Sequence, residues 1–174
     1  MATTYSQIGS TVTVGAGGSA TISFSSIPST YTDLVLKVSA RYSAAGPFDT
    51  RLTFNGNTSA VYAMKSVNGA GSGVPGSASE SAGVSTWFGA VQGVTASTFN
   101  NVELYIPDYT STTMAKSAST EHVNEANQVD ARGYLITQLW NPSTQAVINT
   151  ISISVSSGTF TQYSTATLYG IKKN

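Results

Sequence analysis

Ile151-Ser152-Ile153-Ser154-Val155-Ser156 is the stretch that decides the fold. Three β-branched apolar side chains alternate with three serines. Successive side chains of a strand point to opposite sides, so this period of two marks a strand with one buried face. Ser157-Gly158 breaks the run, and Ser164-Thr165-Ala166-Thr167-Leu168-Tyr169-Gly170-Ile171 resumes it. Residues 147–171 therefore read as two strands, and the chain is expected to close on a strand instead of a loose tail.

The same pattern recurs upstream. Val12 and Val14 alternate with Thr11 and Thr13; Ala20, Ile22 and Phe24 alternate with Ser and Thr. With Gly15-Ala16-Gly17-Gly18 between them, these segments read as a hairpin ended by Ile27-Pro28. Leu34, Leu36, Val38 and Ala40 form one face of a strong strand, opposite Asp33, Lys37, Ser39 and Arg41. Leu52 and Phe54 lead into Asn55-Gly56, the strongest short turn signal in the chain, and residues 61–67 read as the returning strand. Trp87-Phe88-Gly89-Ala90-Val91 and the set Val102, Leu104, Ile106 add further strands. Residues 114–125 read as strand then loop. In Tyr134-Leu135-Ile136-Thr137-Gln138-Leu139-Trp140 both faces carry bulk, so a central strand covered on both sides is expected.

About nine or ten strands with Gly and Pro turns, and no convincing helix, imply an all-β fold. A jelly-roll-like two-sheet antiparallel β-sandwich, one domain over residues 1–174, is the expected architecture. An immunoglobulin-like sandwich is disfavoured by the high strand count and the missing Cys–Trp–Cys spacing. Residues 1–9 have little pattern and are expected to form an N-terminal arm. Residues 68–83 hold mainly Gly, Ser and Ala with no apolar period, the composition of a flexible loop.

Composition narrows the function. Of 174 residues only 9% are charged, with eight acids balancing eight bases; an ordinary domain has about 25%. Surface polarity must come from Ser and Thr, which together exceed one residue in four. Phosphate binding needs clustered Lys and Arg, so nucleic acid is not an expected partner. Low charge makes packing against copies or a larger surface inexpensive in ion desolvation. Cysteine is absent, which excludes disulfides and thiolate metal sites. Met1-Ala2-Thr3-Thr4-Tyr5 lacks the basic and apolar regions of a signal peptide, and no apolar run is long enough for a membrane helix. A soluble protein made in the cytoplasm is expected, with no membrane partner.

No constellation of catalytic groups stands out. His122 is the single histidine, with Glu121 and Glu125 nearby; without a second His or any Cys, a surface histidine is the expectation over a metal ligand. Asp108 and Asp130 could in principle work as a glycosidase pair, but each sits beside a turn signal, where Asp shapes backbone. No Gly-x-Ser-x-Gly elbow occurs. Gly15-Ala16-Gly17-Gly18 is not followed by a helix pattern, so it reads as a turn and not a phosphate loop. No catalytic, cofactor or metal residue is assigned, and the chain is not expected to be an enzyme. The nine tyrosines read mainly as sheet and core residues. Trp87, directly after the Gly/Ser-rich stretch, is the better interface candidate. Lys172-Lys173 reads as a solvated terminus.

Three segments carry a resemblance. Ser26-Ile27-Pro28-Ser29-Thr30-Tyr31-Thr32-Asp33-Leu34 is one, and Leu52-Thr53-Phe54-Asn55-Gly56-Asn57 with Tyr62 after it is the second. The closing Phe160-Thr161-Gln162-Tyr163-Ser164-Thr165-Ala166-Thr167-Leu168-Tyr169-Gly170-Ile171 is the third. Together, and in this order, they resemble virion structural proteins of tailed bacteriophages, notably phages of aquatic bacteria. The Gly/Ser-rich stretch and residues 121–132 lie outside the resemblance, and the group has no catalytic motif to transfer. The resemblance implies a virion component of the capsid decoration, cement or appendage type. The expected role is decoration or cementing of the outer capsid surface, as a trimer with the major capsid protein as partner. The rival expectation is a tail-fibre or head-fibre domain that binds a host glycan or receptor.

Overall fold

The computed structural model describes residues 4–45, 50–69, 76–81, 90–92, 95–124 and 132–172. These form twelve strands and no helix. In chain order they are β1 (Thr4–Thr13), β2 (Thr21–Phe24), β3 (Asp33–Ala45), β4 (Thr50–Phe54), β5 (Tyr62–Gly69) and β6 (Gly76–Ser81). Then come β7 (Ala90–Gln92), β8 (Asn100–Ile106), β9 (Lys116–Asn124), β10 (Arg132–Trp140), β11 (Ile151–Val155) and β12 (Thr165–Lys172). The larger sheet runs β1-β12-β3-β8-β9-β10-β5-β6, with β7 pairing in parallel to the far end of β3. The smaller sheet runs β2-β11-β4.

The first four strands alternate between the two sheets. The last two then return as a pair, β11 between β2 and β4, β12 between β1 and β3. This winding of one antiparallel ribbon into two facing layers is jelly-roll-like, a two-sheet β-sandwich. The alternation in the sequence decides which face is buried. In β8 every second residue is buried, Asn100, Val102, Leu104 and Ile106; in β11 Ile151 and Ile153 are, and in β12 Ala166 and Leu168. The apolar side chains of β8 and β12 face Ile22, Phe24, Leu52, Phe54, Ile151 and Ile153 of the smaller sheet in one continuous core. Complete burial of each such side chain is worth roughly 1.5–3 kcal/mol. Trp140 closes one end against Phe54 at 5.6 Å and Tyr62 at 6.5 Å between ring centroids. Gly170 lies directly under the Tyr31 ring, where a Cβ would come within 2.2 Å of it.

Several local expectations are corrected. Residues 4–9, read as an arm, belong to β1, which pairs with β12 through the register Tyr5↔Ile171 and Ile8↔Leu168. A register shift between Ile8 and Val12, with Gly9 at φ 68°, interrupts the period of two and hides the strand in the sequence. The segments on either side of Gly15-Ala16-Gly17-Gly18 do not form a hairpin, since they enter different sheets. Asn55-Gly56 does turn the chain, at φ 53° and 67°, but β5 leaves for the larger sheet and does not return along β4. Asn55 is instead a clamp on the run before β11: its Nδ2 donates to the Val147 carbonyl at 2.7 Å. Its Oδ1 accepts from the amides of Asn149 and Thr150 at 2.8 and 3.1 Å.

The stretch read as a loop over 68–83 carries the end of β5 and all of β6, which pair antiparallel from Ala63↔Ser81 to Asn68↔Gly76. Backbone pairing, not side-chain hydrophobicity, makes this a hairpin, so composition alone did not reveal it. Strand β9 runs on to Asn124, past the expected loop start. Twelve described strands stand against the nine or ten expected; of them, β6 alone lies wholly in a stretch read as loop.

Candidate functional site

The smaller sheet covers only one face of the larger one. On the other face the register places side chains in rows across the strands. One row is Thr167, Lys37, Glu103, Glu121, Leu135, Val67, on β12, β3, β8, β9, β10 and β5. The next is Tyr169, Val35, Tyr105, Ser119, Thr137, Lys65 on the same strands. Eight strands at the usual spacing give a face roughly 35 Å wide.

This face has two halves. The half on β1, β12, β3 and β8 is rich in hydroxyls and amides. Thr11 and Thr167 share a hydrogen bond at 2.9 Å, and Lys37 pairs with Glu103 at 3.0 Å. The Glu103 carboxylate raises the pKa of Lys37 by hydrogen bonding and by charge. An open groove of about 400 Å³ crosses this half, lined by Lys37, Ser39, Asn101, Glu103, Glu121 and Thr165 among others. Its openness suits a broad surface contact better than an enclosed small molecule. The half on β9, β10 and β5 is apolar: Val67, Val123, Leu135 and Leu139 are 54%, 57%, 52% and 37% exposed. The expectation that β10 is covered on both sides is therefore corrected, since Ile136, Gln138 and Trp140 are buried and the alternating leucines are not.

The inner side of β8–β9–β10–β5 holds a buried polar group of residues. His122 is 3% exposed, which corrects its reading as a surface histidine. Its Nε2 lies 3.1 Å from Asn100 Nδ2, and its ring stacks on Tyr134 at 5.1 Å and 10°. Among the described residues Nδ1 has no hydrogen-bond partner, though it is buried. Desolvation lowers the imidazole pKa to about 4. Thr120 accepts from Gln138 Nε2 at 3.3 Å, and Gln138 Oε1 is buried unpaired.

Glu121 cannot join His122, because adjacent strand residues project to opposite faces. Among the described residues no three His, Asp or Glu side chains come together as a metal site. Asp108 occupies the turn after β8 at φ 45°, where its amide donates to the buried Asp33 carboxylate at 3.2 Å. Glu125, Asp130, Trp87 and Phe88 lie outside the described residues. Of the tyrosines, Tyr42 and Tyr109 are core residues, and the Tyr62 hydroxyl accepts from the Phe54 amide at 3.0 Å. Tyr163 differs: it is 69% exposed and holds φ 71°, a left-handed conformation uncommon for a bulky residue.

The outer half-face of exposed leucines escaped the sequence reading because a leucine in a strand signals burial unless the covering layer is known. Set against known proteins, the chain matches no family model, no curated protein and no solved structure.

Proposed function

We propose that this chain is a structural protein of a phage virion, without catalytic activity, that decorates or cements the outer surface of the capsid. The observation that carries the reading is the broad outer face of the larger sheet, which no described strand covers. Its hydroxyl-rich half holds few charges among the described residues, and the Lys37–Glu103 ion pair is internally neutralised. Such a face can be laid against the major capsid protein with little loss of ion hydration. The interface area gained across a junction between capsomers is what would strengthen the shell. The resemblance to phage virion proteins supports the same reading.

The test is co-sedimentation with capsid shells stripped of the protein, followed by heating. Added protein should bind and raise the temperature of DNA release; Asn101→Arg and Thr167→Glu on the hydroxyl-rich half should abolish both effects. Shells that neither bind the protein nor gain heat resistance would sink the proposal.

A second reading, a fibre domain binding a host glycan, is favoured by Tyr163. An exposed aromatic ring held in a costly backbone conformation is a reasonable contact residue for a sugar. Adsorption of phage to cells in competition with soluble protein tests it: wild type should compete and Tyr163→Ala should not.

A further inference from the structure

We propose that the outer face of β9–β10–β5 is a contact between two copies of this chain, related by a twofold axis that runs along β10 within the interface. The proposal stands apart from the capsid reading and does not need it.

The face is concentrated and self-complementary. Of the seven exposed large hydrophobic residues among the described ones, Tyr5, Val67, Met114, Val123, Leu135, Leu139 and Tyr163, four lie on these three adjacent strands. Leu135 and Leu139 stand on the central strand, two steps of the pleat apart, with Thr137 between them. Val67 is opposite Leu135 on one flank, Ala63 is opposite Leu139, and Val123 is opposite Gly133 on the other flank. Among the described residues this half-face carries two charges. Lys65 is on β5, opposite Thr137, and Glu121 is on β9, opposite Leu135. Neither has an ion pair among the described residues.

A twofold axis along β10 lays the second copy's β10 over the first, so the leucines meet across the axis. It also lays β5 of one copy over β9 of the other. Each Lys65 then approaches the partner copy's Glu121 one pleat step away, within reach of its four-carbon stem across packed sheets about 10 Å apart. A twofold interface requires this exchange of partners, residue i meeting j while j meets i. The two opposite charges sit on opposite flanks, as that symmetry needs; with both on one flank, neither would lie near its counterpart in the second copy. The expected trimer would need a head-to-tail contact between two different surfaces, which this face is not.

Five strands, counting β8 and β6 beside the three, and four side-chain rows cover roughly 600 Å² per copy. That is at the low end for specific association, so the dimer should be a reversible one of micromolar strength.

Sedimentation velocity from about 1 to about 100 µM on the full chain tests the proposal. Wild type should pass from monomer to dimer within that range. Leu135→Lys, at a position already exposed, should keep the wild-type circular dichroism and weaken dimerisation at least tenfold. Lys65→Glu and Glu121→Lys should each weaken it, and the double variant should recover wild-type dimerisation, because the swapped charges again meet across the axis. A wild type that stays monomeric, assembly as a trimer, or a double variant no better than the singles would each overturn the proposal.

Discussion

His122 makes the stability of this protein depend on pH in a window where almost nothing else titrates. The imidazole is enclosed between Asn100 and Tyr134, and burial lowers its pKa to about 4. In the unfolded chain the value is about 6.5. The neutral ring is thus favoured in the fold, and the full stability is present above the unfolded value. As pH falls below about 6.5 the unfolded state takes up a proton that the native state refuses, and stability declines until about pH 4. The separation corresponds to about 3 kcal/mol over the whole window, of which about 2 kcal/mol is lost between about pH 7 and pH 5. For a domain of this size that loss lowers Tm by roughly 4–8 °C. His122 is the single histidine in the chain, and carboxylates begin to protonate mainly below this range. Urea unfolding at a series of pH values, for wild type and His122→Gln, isolates the effect. The wild-type free energy should fall by about 2 kcal/mol from about pH 7 to pH 5, and the variant's should stay nearly level. Parallel curves for the two proteins, or a wild type that gains stability on acidification, would refute the reasoning.

Other sites give further expectations. Gly170→Ala places a methyl inside the Tyr31 ring contact and should cost about 1–3 kcal/mol, visible as a lower thermal midpoint. Tyr163→Gly should leave stability unchanged or raise it by up to about 1 kcal/mol, because the left-handed backbone suits glycine and the exposed ring contributes little burial; this is read by urea midpoint. Lys116 is buried and its ammonium donates to the carbonyls of Ser111 and Met114 at 2.5 and 2.9 Å. Lys116→Met leaves both carbonyls without this donor and should cost about 1–3 kcal/mol, with faster amide exchange in the 107–115 turn.

Much of the fold was legible because it is written in a period of two. Strands β3, β8, β11 and β12 have one face fully buried, so Leu34, Leu104, Ile153 and Leu168 mark them in the sequence as they do in the sandwich. The first half of β1, residues 4–9, was hidden by the shift at Gly9, which puts it out of step with Val12 and Val14. β6 was hidden because it is made of Ser, Ala, Gly and Glu and is held through backbone pairing to β5. The candidate site was less legible. Leucine in a strand does not report whether a second layer exists above it, so Leu135 and Leu139 read as core. His122 read as a surface group because nothing in its neighbours announces that Tyr134 stacks on it. Both are facts of layer arrangement, set by contacts between strands far apart in the chain.

The proposed role in a virion is tested most directly by cryo-electron microscopy of the particle that carries this chain. The account predicts sandwich-shaped density repeated over the outside of the shell at capsomer junctions, with the hydroxyl-rich half of the larger sheet against the major capsid protein. A bare shell, with the density confined to a few copies on the tail or at one vertex, would contradict it.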